Sequence, residues 1–118
     1  MALSVASRVR LDVSGDLDAN MDESLTRTAS GTEAHSTIQS VATAGELLSV
    51  GDVAAPYQVA VQNLDATNYV EIFKESGFTN LLSKLNAGET CFLNRPDAGL
   101  YIRANTAACR CKVVAVEI

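Results

Sequence analysis

The sequence predicts an all-β fold, an antiparallel β-sandwich of the jelly-roll or immunoglobulin-like kind with about eight short strands. Three observations lead to this prediction. Apolar residues alternate with a period of two, turn-forming residues separate these segments at intervals of about 8–14 residues, and no segment has a convincing helical period. Short strands followed by reversals at such intervals are typical of two antiparallel sheets that pack face to face.

The first strand is predicted at the N-terminus, where the alternation persists for about eleven residues. One set of alternate positions is apolar apart from a single serine, and consists of Leu3, Val5, Ser7, Val9, Leu11 and Val13. A helix would scatter these side chains around its circumference. We therefore predict a strand with one buried face.

Residues 14–45 form a polar and acidic stretch that is rich in serine, threonine and alanine. Alternation is weak over residues 25–29 and 37–42, which predicts strands that are short, exposed or at a sheet edge. Their serine and threonine side chains form either a solvated face or a contact surface.

Stronger strand patterns follow residue 44. Residues 57–64 alternate, the next few residues favour a turn, and residues 69–74 are predicted to return as the second strand of a hairpin. Residues 81–85 look locally helical, but Gly77 and Gly88 bound them too closely for a helix. The remaining predicted strands lie at residues 90–94, 100–104 and 108–118.

A chain of 118 residues has the size of one ordinary domain with one core. We therefore expect residues 1–118 to form a single β-sandwich domain, in which residues 1–13 are a possible partner-contacting strand. The predicted core between two sheets about 10 Å apart consists of Val9, Leu11, Val59, Val61, Ile72, Phe92, Ile102 and Val113.

Charge and composition exclude several classes of partner. The formal net charge is −5, which opposes the basic surface that nucleic acids and anionic membranes select. Residues 1–13 lack the uninterrupted apolar run of a signal peptide, and no window approaches a membrane-spanning helix. We expect a soluble protein that binds neither nucleic acid nor a membrane.

The three cysteines are the first candidates for a metal site. Cys109 and Cys111 lie two apart on a predicted strand and share a face, and a neighbouring strand would bring Cys91 close. Together with His35 they complete a zinc set on paper, but structural zinc sites favour Cys-x-x-Cys turns. We expect three free, buried thiols, with a disulfide as the alternative, and neither metal nor cofactor.

Catalytic patterns are missing from the sequence. His35 is the single histidine and lies in the polar stretch, so we expect a solvated surface side chain. There is no Gly-x-Ser-x-Gly elbow and no glycine-rich phosphate loop. A calcium loop that begins at Asp16 would need glycine at Met21 and glutamate at Arg27. We predict that the protein is not an enzyme and has no catalytic residues.

Two segments are candidates for contact with another chain. The last predicted strand is apolar on both faces towards its end, so it is either central in a sheet or covered by another subunit. The N-terminal strand has small outer residues that permit close approach, and both observations make us expect a homo-oligomer, either a dimer or a trimer. The predicted partner-contact residues are Leu3, Val5, Arg8, Arg10, Val114 and Val116.

Four runs follow one another in the second half of the chain: VQNLDATNYVEI at residues 61–72, LNAGE at 85–89, LYIRANTAA at 100–108 and VVAVE at 113–117. In this order they resemble small virion structural proteins of tailed bacteriophages. The likeness covers about residues 57–118, and Cys91, Cys109 and Cys111 depart from it because aliphatic residues are expected there.

The resemblance implies a β-sandwich component of the virus particle with no catalytic residues. Within that class we expect a head decoration or cement protein, made in the host cytoplasm and located on the capsid surface, that binds the major capsid protein, copies of itself or both. One alternative is a tail, neck or fibre component of the virion. The other is a carbohydrate-binding module, although six aromatic residues supply few rings for a sugar platform.

Overall fold

The computed structural model confirms the all-β antiparallel prediction. It contains ten strands and no helix in the part of the chain that it describes, which is residues 3–15, 19–29, 33–55, 57–94, 96 and 98–118. Over the same residues, no helix is long and apolar enough to cross a membrane. A single domain over residues 1–118 was expected from the length, whereas contacts within the chain divide it into two compact units, Met1–Thr32 and Glu33–Ile118.

The first unit is a long antiparallel hairpin. It pairs β1 (Ser4–Val13) with β2 (Ala19–Thr28) along their whole length. A further backbone hydrogen bond, from the amide of Ala29 to the carbonyl of Leu3 at 2.8 Å, closes the base of the hairpin. The N-terminal alternation thus forms a strand as predicted, and its partner is the weakly patterned acidic segment that follows it.

The second unit contains two four-stranded antiparallel sheets. Sheet one has the order β3-β10-β5-β8 and sheet two has the order β4-β9-β6-β7. The strands are β3 (Ala34–Val41), β4 (Glu46–Leu47), β5 (Tyr57–Asn63), β6 (Val70–Phe73), β7 (Leu81–Leu85), β8 (Thr90–Asn94), β9 (Tyr101–Ala104) and β10 (Cys109–Glu117).

The core of the second unit is built from the inward residues of both sheets. Val59, Val61 and Val113 contribute from sheet one, and Ile72 and Ile102 from sheet two, all at most 1% exposed. The sandwich prediction and these five predicted core residues are confirmed. β10 lies between β3 and β5, so the alternative that makes the last strand central is correct.

Three predicted core residues are wrong. Val9 is 45% exposed, Leu11 is 64% exposed and Phe92 is 36% exposed. Val9 and Leu11 belong to the hairpin, where β1 pairs only with β2 among the described residues. Phe92 lies opposite Ala60 of β5, and this register position faces away from the core that Val59 and Val61 enter.

The predicted hairpin at residues 57–74 is also wrong, because β5 and β6 belong to different sheets. The connecting segment leaves one sheet and enters the other, and a fully buried Asn63 anchors it. The Asn63 Nδ2 donates hydrogen bonds to the carbonyls of Asn68 at 2.9 Å and Leu85 at 3.1 Å, and its Oδ1 accepts one from the amide of Asp65 at 3.0 Å.

Candidate interaction surface

The hairpin has two chemically different faces because side chains alternate along each strand. We call one of them the apolar hairpin face. It contains the side chains of Leu3, Val5, Ser7, Val9, Leu11, Met21, Glu23, Leu25 and Arg27, which the register of β1 and β2 places on one side. We call the opposite side the ion-pair face, and it contains Arg8, Arg10, Asp12 and Asp22.

Large apolar side chains stay exposed on the apolar hairpin face. Leu11, Leu25 and Met21 are 64%, 57% and 56% exposed. A two-stranded ribbon is marginally stable by itself in water, and a contiguous set of large exposed apolar side chains typically marks an interaction site. This face is therefore the strongest candidate surface for contact with another molecule.

The charges of the ion-pair face are satisfied within the hairpin. The Arg8 guanidinium donates two hydrogen bonds to the Asp22 carboxylate, at 2.9 and 2.8 Å. Arg10 donates to Asp12 at 2.7 Å. These four side chains need no external charge.

The apolar hairpin face carries one acidic and one basic residue that stay apart. Glu23 lies opposite Val9, and Arg27 lies opposite Val5. Neither makes an ion pair or hydrogen bond through its side chain within the described part of the chain, and the Nε of Arg27 is buried without a partner there. A buried donor that lacks an acceptor is energetically unfavourable, so this face is electrostatically incomplete.

The structure separates the predicted contact residues into three places. Leu3 and Val5 are half-buried on the apolar hairpin face, whereas Arg8 and Arg10 lie on the ion-pair face, where intrachain carboxylates already bind them. Val114 and Val116 belong to the second unit. Sequence reasoning missed Met21 and Leu25, although the alternation of Met21, Glu23, Leu25 and Arg27 carries the signal.

Val114 lies on a second exposed surface, the outer side of sheet one. The register places Val114, Ala60 and Phe92 in one row across β10, β5 and β8. Val114 is 43% exposed and Ile38, on β3, is 49% exposed. Arg110 and Lys112 are exposed on the same side of β10, so this surface mixes apolar and basic side chains.

The cysteines are free thiols, as expected, but only Cys109 and Cys111 are buried, and the expected burial of Cys91 is wrong because its side chain is half-buried. Cys91 does not lie beside the other two, because β5 separates β8 from β10. Burial, together with the neighbouring Cys109 and Asp65, raises the pKa of the Cys111 thiol to about 12. Burial also raises the pKa of Cys91 and of Cys109. The reactive thiolate is therefore disfavoured, and the thiols act as small apolar side chains.

The expected solvated position of His35 is wrong. His35 lies on β3 opposite Ala115, is half-buried, and has a buried Nε2 without a hydrogen-bond partner among the described residues. Its ring packs against the backbone at Gly51, where an added Cβ would lie 2.6 Å from Nδ1. The imidazole is packed because β3 pairs with the central strand, which sequence alone does not reveal.

A cavity of about 240 Å³ lies at one end of the sandwich. Its lining includes Lys74, Leu82, Leu93 and Asn94. Lys74 is the one ionisable side chain among the described residues of this lining, so those residues offer no acid–base pair there. No group of three or more His, Cys, Asp or Glu side chains that could hold a metal ion occurs in the described part of the chain.

Among the large apolar side chains of the described residues, the three most exposed, Leu11, Leu25 and Met21, all lie on the apolar hairpin face. Comparison with known proteins finds no matching family model, no similar curated protein and no similar solved structure.

Proposed function

We propose that this chain is a non-enzymatic structural protein of a virion, a head decoration or cement protein that binds the major capsid protein lattice and stabilises the head. The observation that carries the proposal is the hairpin unit, which presents large exposed apolar side chains on one face. The resemblance of residues 57–118 to small virion proteins supports the same role.

The hairpin offers two modes of attachment. Its apolar face can bury Val9, Leu11, Met21 and Leu25 against a partner surface, which is favourable in proportion to the apolar area removed from water. In addition, within the described residues β1 pairs only with β2. Its other edge can therefore add to an open sheet edge of a partner through backbone hydrogen bonds.

The sandwich supports the role through a surface of its own. A cement protein makes the same contact many times over a lattice, so a modest contact at each site is sufficient when neighbouring sites are occupied together. The outer side of sheet one, with exposed Ile38, Val114, Arg110 and Lys112, supplies a second surface for a neighbouring capsid subunit.

Nothing in the side-chain placement favours the carbohydrate-binding alternative. A sugar platform needs several exposed aromatic rings, whereas Tyr57 and Phe73 are buried and only Phe92 reaches 36% exposure. All six aromatic residues of the chain belong to the described residues. A tail, neck or fibre component of the virion would bind through the same surfaces. The first experiment below therefore distinguishes these positions from a position on the capsid.

The location of the chain in the particle tests the proposal. Virions produced from the genome that encodes it are purified, and their protein composition and cryo-electron density are determined. A head decoration protein appears in a fixed ratio to the major capsid protein, with density for the sandwich on the outer capsid surface. Density confined to the tail or neck, or absence of the chain from the particle, contradicts the proposal.

A binding experiment then tests the role of the hairpin. Heads that lack the chain are mixed with purified protein, and the bound fraction is measured by co-sedimentation. Leu11→Asp is expected to abolish binding, because the carboxylate would be buried without a partner. The matched control is Thr26→Asp on the ion-pair face of β2, which is expected to bind as the unmodified chain does. If Leu11→Asp and Thr26→Asp bind heads equally well, the apolar hairpin face is not the attachment site.

A further inference from the structure

The charges on the two faces of the hairpin differ in whether they pair within the chain. All four described charges on the ion-pair face are paired within the hairpin, at 2.7 to 2.9 Å. Glu23 and Arg27, on the other face, have no such partner among the described residues. The charges of one face thus pair within the hairpin, whereas on the other face an acid and a base have no side-chain partner among the described residues.

Glu23 and Arg27 cannot satisfy each other within one hairpin. They are four residues apart on β2, which is about 13 Å in an extended strand. Leu25 lies midway between them on the same face, opposite Ser7 of β1. An acid and a base placed symmetrically about a central leucine form a self-complementary pattern, because a half-turn about Leu25 exchanges the two charges.

We propose that two copies of this chain dimerise through their apolar hairpin faces, which run antiparallel about a two-fold axis at Leu25. This arrangement is isologous, as in most homodimers. It places Glu23 of each copy opposite Arg27 of the other, so two intermolecular ion pairs form.

The same two-fold rotation brings apolar side chains of the two β1 strands opposite each other. Val9 of one copy lies over Val5 of the other, and Leu11 lies over Leu3, while Leu25 packs against its own equivalent. Exposed Leu11 and Val9 therefore become covered. An axis shifted by two residues would place Glu23 against Glu23 or Arg27 against Arg27, so the charges select one register.

The size of the contact predicts a reversible dimer. The face is roughly 30 Å long and about 10 Å wide, from about 3.4 Å per residue and about 4.8 Å between strands. Interfaces of this size lie at the lower end for specific complexes and are typical of transient association. The dimer uses the face that the proposed function assigns to the capsid, so the inference concerns the free chain and its test is independent of a role in a virion.

Charge-swap variants in the full chain test the dimer by sedimentation over a wide concentration range. The unmodified chain is expected to shift with concentration towards twice the 12.5 kDa monomer mass. Glu23→Arg and Arg27→Glu each place like charges together twice, so each is expected to weaken dimerisation roughly 10- to 100-fold. The double variant E23R/R27E restores both pairs and is expected to dimerise as the unmodified chain does.

Mixing the two single variants gives the most specific result. Each repels itself, but a mixed dimer regains both opposite-charge contacts, so the mixture is expected to dimerise more tightly than either variant alone. A charge-conserving control, R8D/D22R on the ion-pair face, is expected to leave dimerisation unchanged. A monomeric unmodified chain, unaffected single variants, or a mixture that stays monomeric overturns the proposal.

This experiment contains no virus particles, so its outcome is distinct from that of the proposed function. A chain that dimerises by the charge pattern but does not bind heads supports the dimer and contradicts the capsid role. A chain that binds heads, but whose dimerisation does not respond to the charge swaps, supports the capsid role and contradicts the dimer.

Discussion

The hairpin and the sandwich use the same strand pattern for opposite purposes. β1 places Val9 and Leu11 on alternate positions, as β10 does with Cys111, Val113 and Ala115. On β10 these side chains are at most 1% exposed, whereas on β1 Val9 and Leu11 are 45% and 64% exposed. Alternation therefore identifies a strand and its apolar face, but not the surface that covers that face.

The two regions also differ in how their polar groups are satisfied. In the sandwich, a buried amide such as that of Asn63 makes three hydrogen bonds, and a turn carboxylate such as that of Glu75 accepts four. On the apolar hairpin face, Glu23 and Arg27 make none within the described residues. Among the described residues each unit holds one buried nitrogen without a hydrogen-bond partner, Nε of Arg27 in the hairpin and Nε2 of His35 in the sandwich.

Ile102→Ala is expected to have the largest effect on folding. Ile102 is fully buried between the sheets, and truncation of such a side chain costs about 4 kcal/mol in the free energy of unfolding. Leu11→Ala, on the hairpin, is expected to change it by less than about 0.5 kcal/mol.

Urea denaturation followed by far-ultraviolet circular dichroism measures both variants, because this signal reports on the strands of both units. Comparable losses of stability for the two variants would contradict the assignment of one apolar strand face to the core and the other to an interface.

Asn63→Ala is expected to cost about 2–3 kcal/mol, because it leaves the carbonyl of Leu85 and other buried groups without hydrogen-bond partners. Asn20→Ala, on the exposed hairpin, serves as the matched control and is expected to be nearly neutral. The same denaturation experiment measures both. A near-neutral Asn63→Ala would show that the crossing between the sheets does not depend on the buried amide.

Gly45→Ala is expected to cost about 2 kcal/mol, because the added Cβ would overlap the ring of Phe78. Phe78 is held edge-on between Phe73 and Tyr101, at 5.2 and 6.3 Å. Gly88→Ala is the control, since Gly88 has nearly the same φ, 82° against 86°, but open space at Cβ.

For Gly88→Ala we expect only the left-handed backbone strain, about 1 kcal/mol. Thermal unfolding separates the two glycine variants. Equal effects would mean that the aromatic packing behind Gly45 yields to an extra methyl group.

Glu75 is expected to give the smallest effect, and one that depends on pH. Hydrogen bonds from the amides of Thr79 and Asn80, then from the Asn80 side chain, lower its pKa from 4.5 to about 2. Because the folded-state pKa is depressed, this contribution to stability is present above about pH 4.5 and is lost as the pH falls towards 2.

The variant Glu75→Gln isolates this contribution. We expect the stability difference between it and the unmodified chain to be near its minimum at about pH 2 and to rise to a plateau above about pH 5. Unfolding of both proteins is measured at each pH in this range, and the unmodified chain is the control at every pH. A difference that stays constant with pH would contradict the role of the ionised carboxylate.

The candidate surface could be predicted only in part. The N-terminal strand and its apolar parity were visible in the sequence, so Leu3 and Val5 were placed on a contact strand. Arg8 and Arg10 were not distinguishable from free surface charges until the register showed Asp22 and Asp12 beside them. Met21 and Leu25 were missed because they lie in a stretch whose composition is dominated by small polar residues.

Local periodicity predicts most of the strands and the apolar side of many of them, although it indicated only residues 25–28 of β2. The strong patterns at residues 90–94 and 108–118 became β8 and β10 for this reason. Which strands become neighbours is settled by the folded structure, because pairing joins residues far apart in the chain. That choice separated β5 from β6 into different sheets, buried Val113 in the sandwich, and left Leu11 exposed on the hairpin.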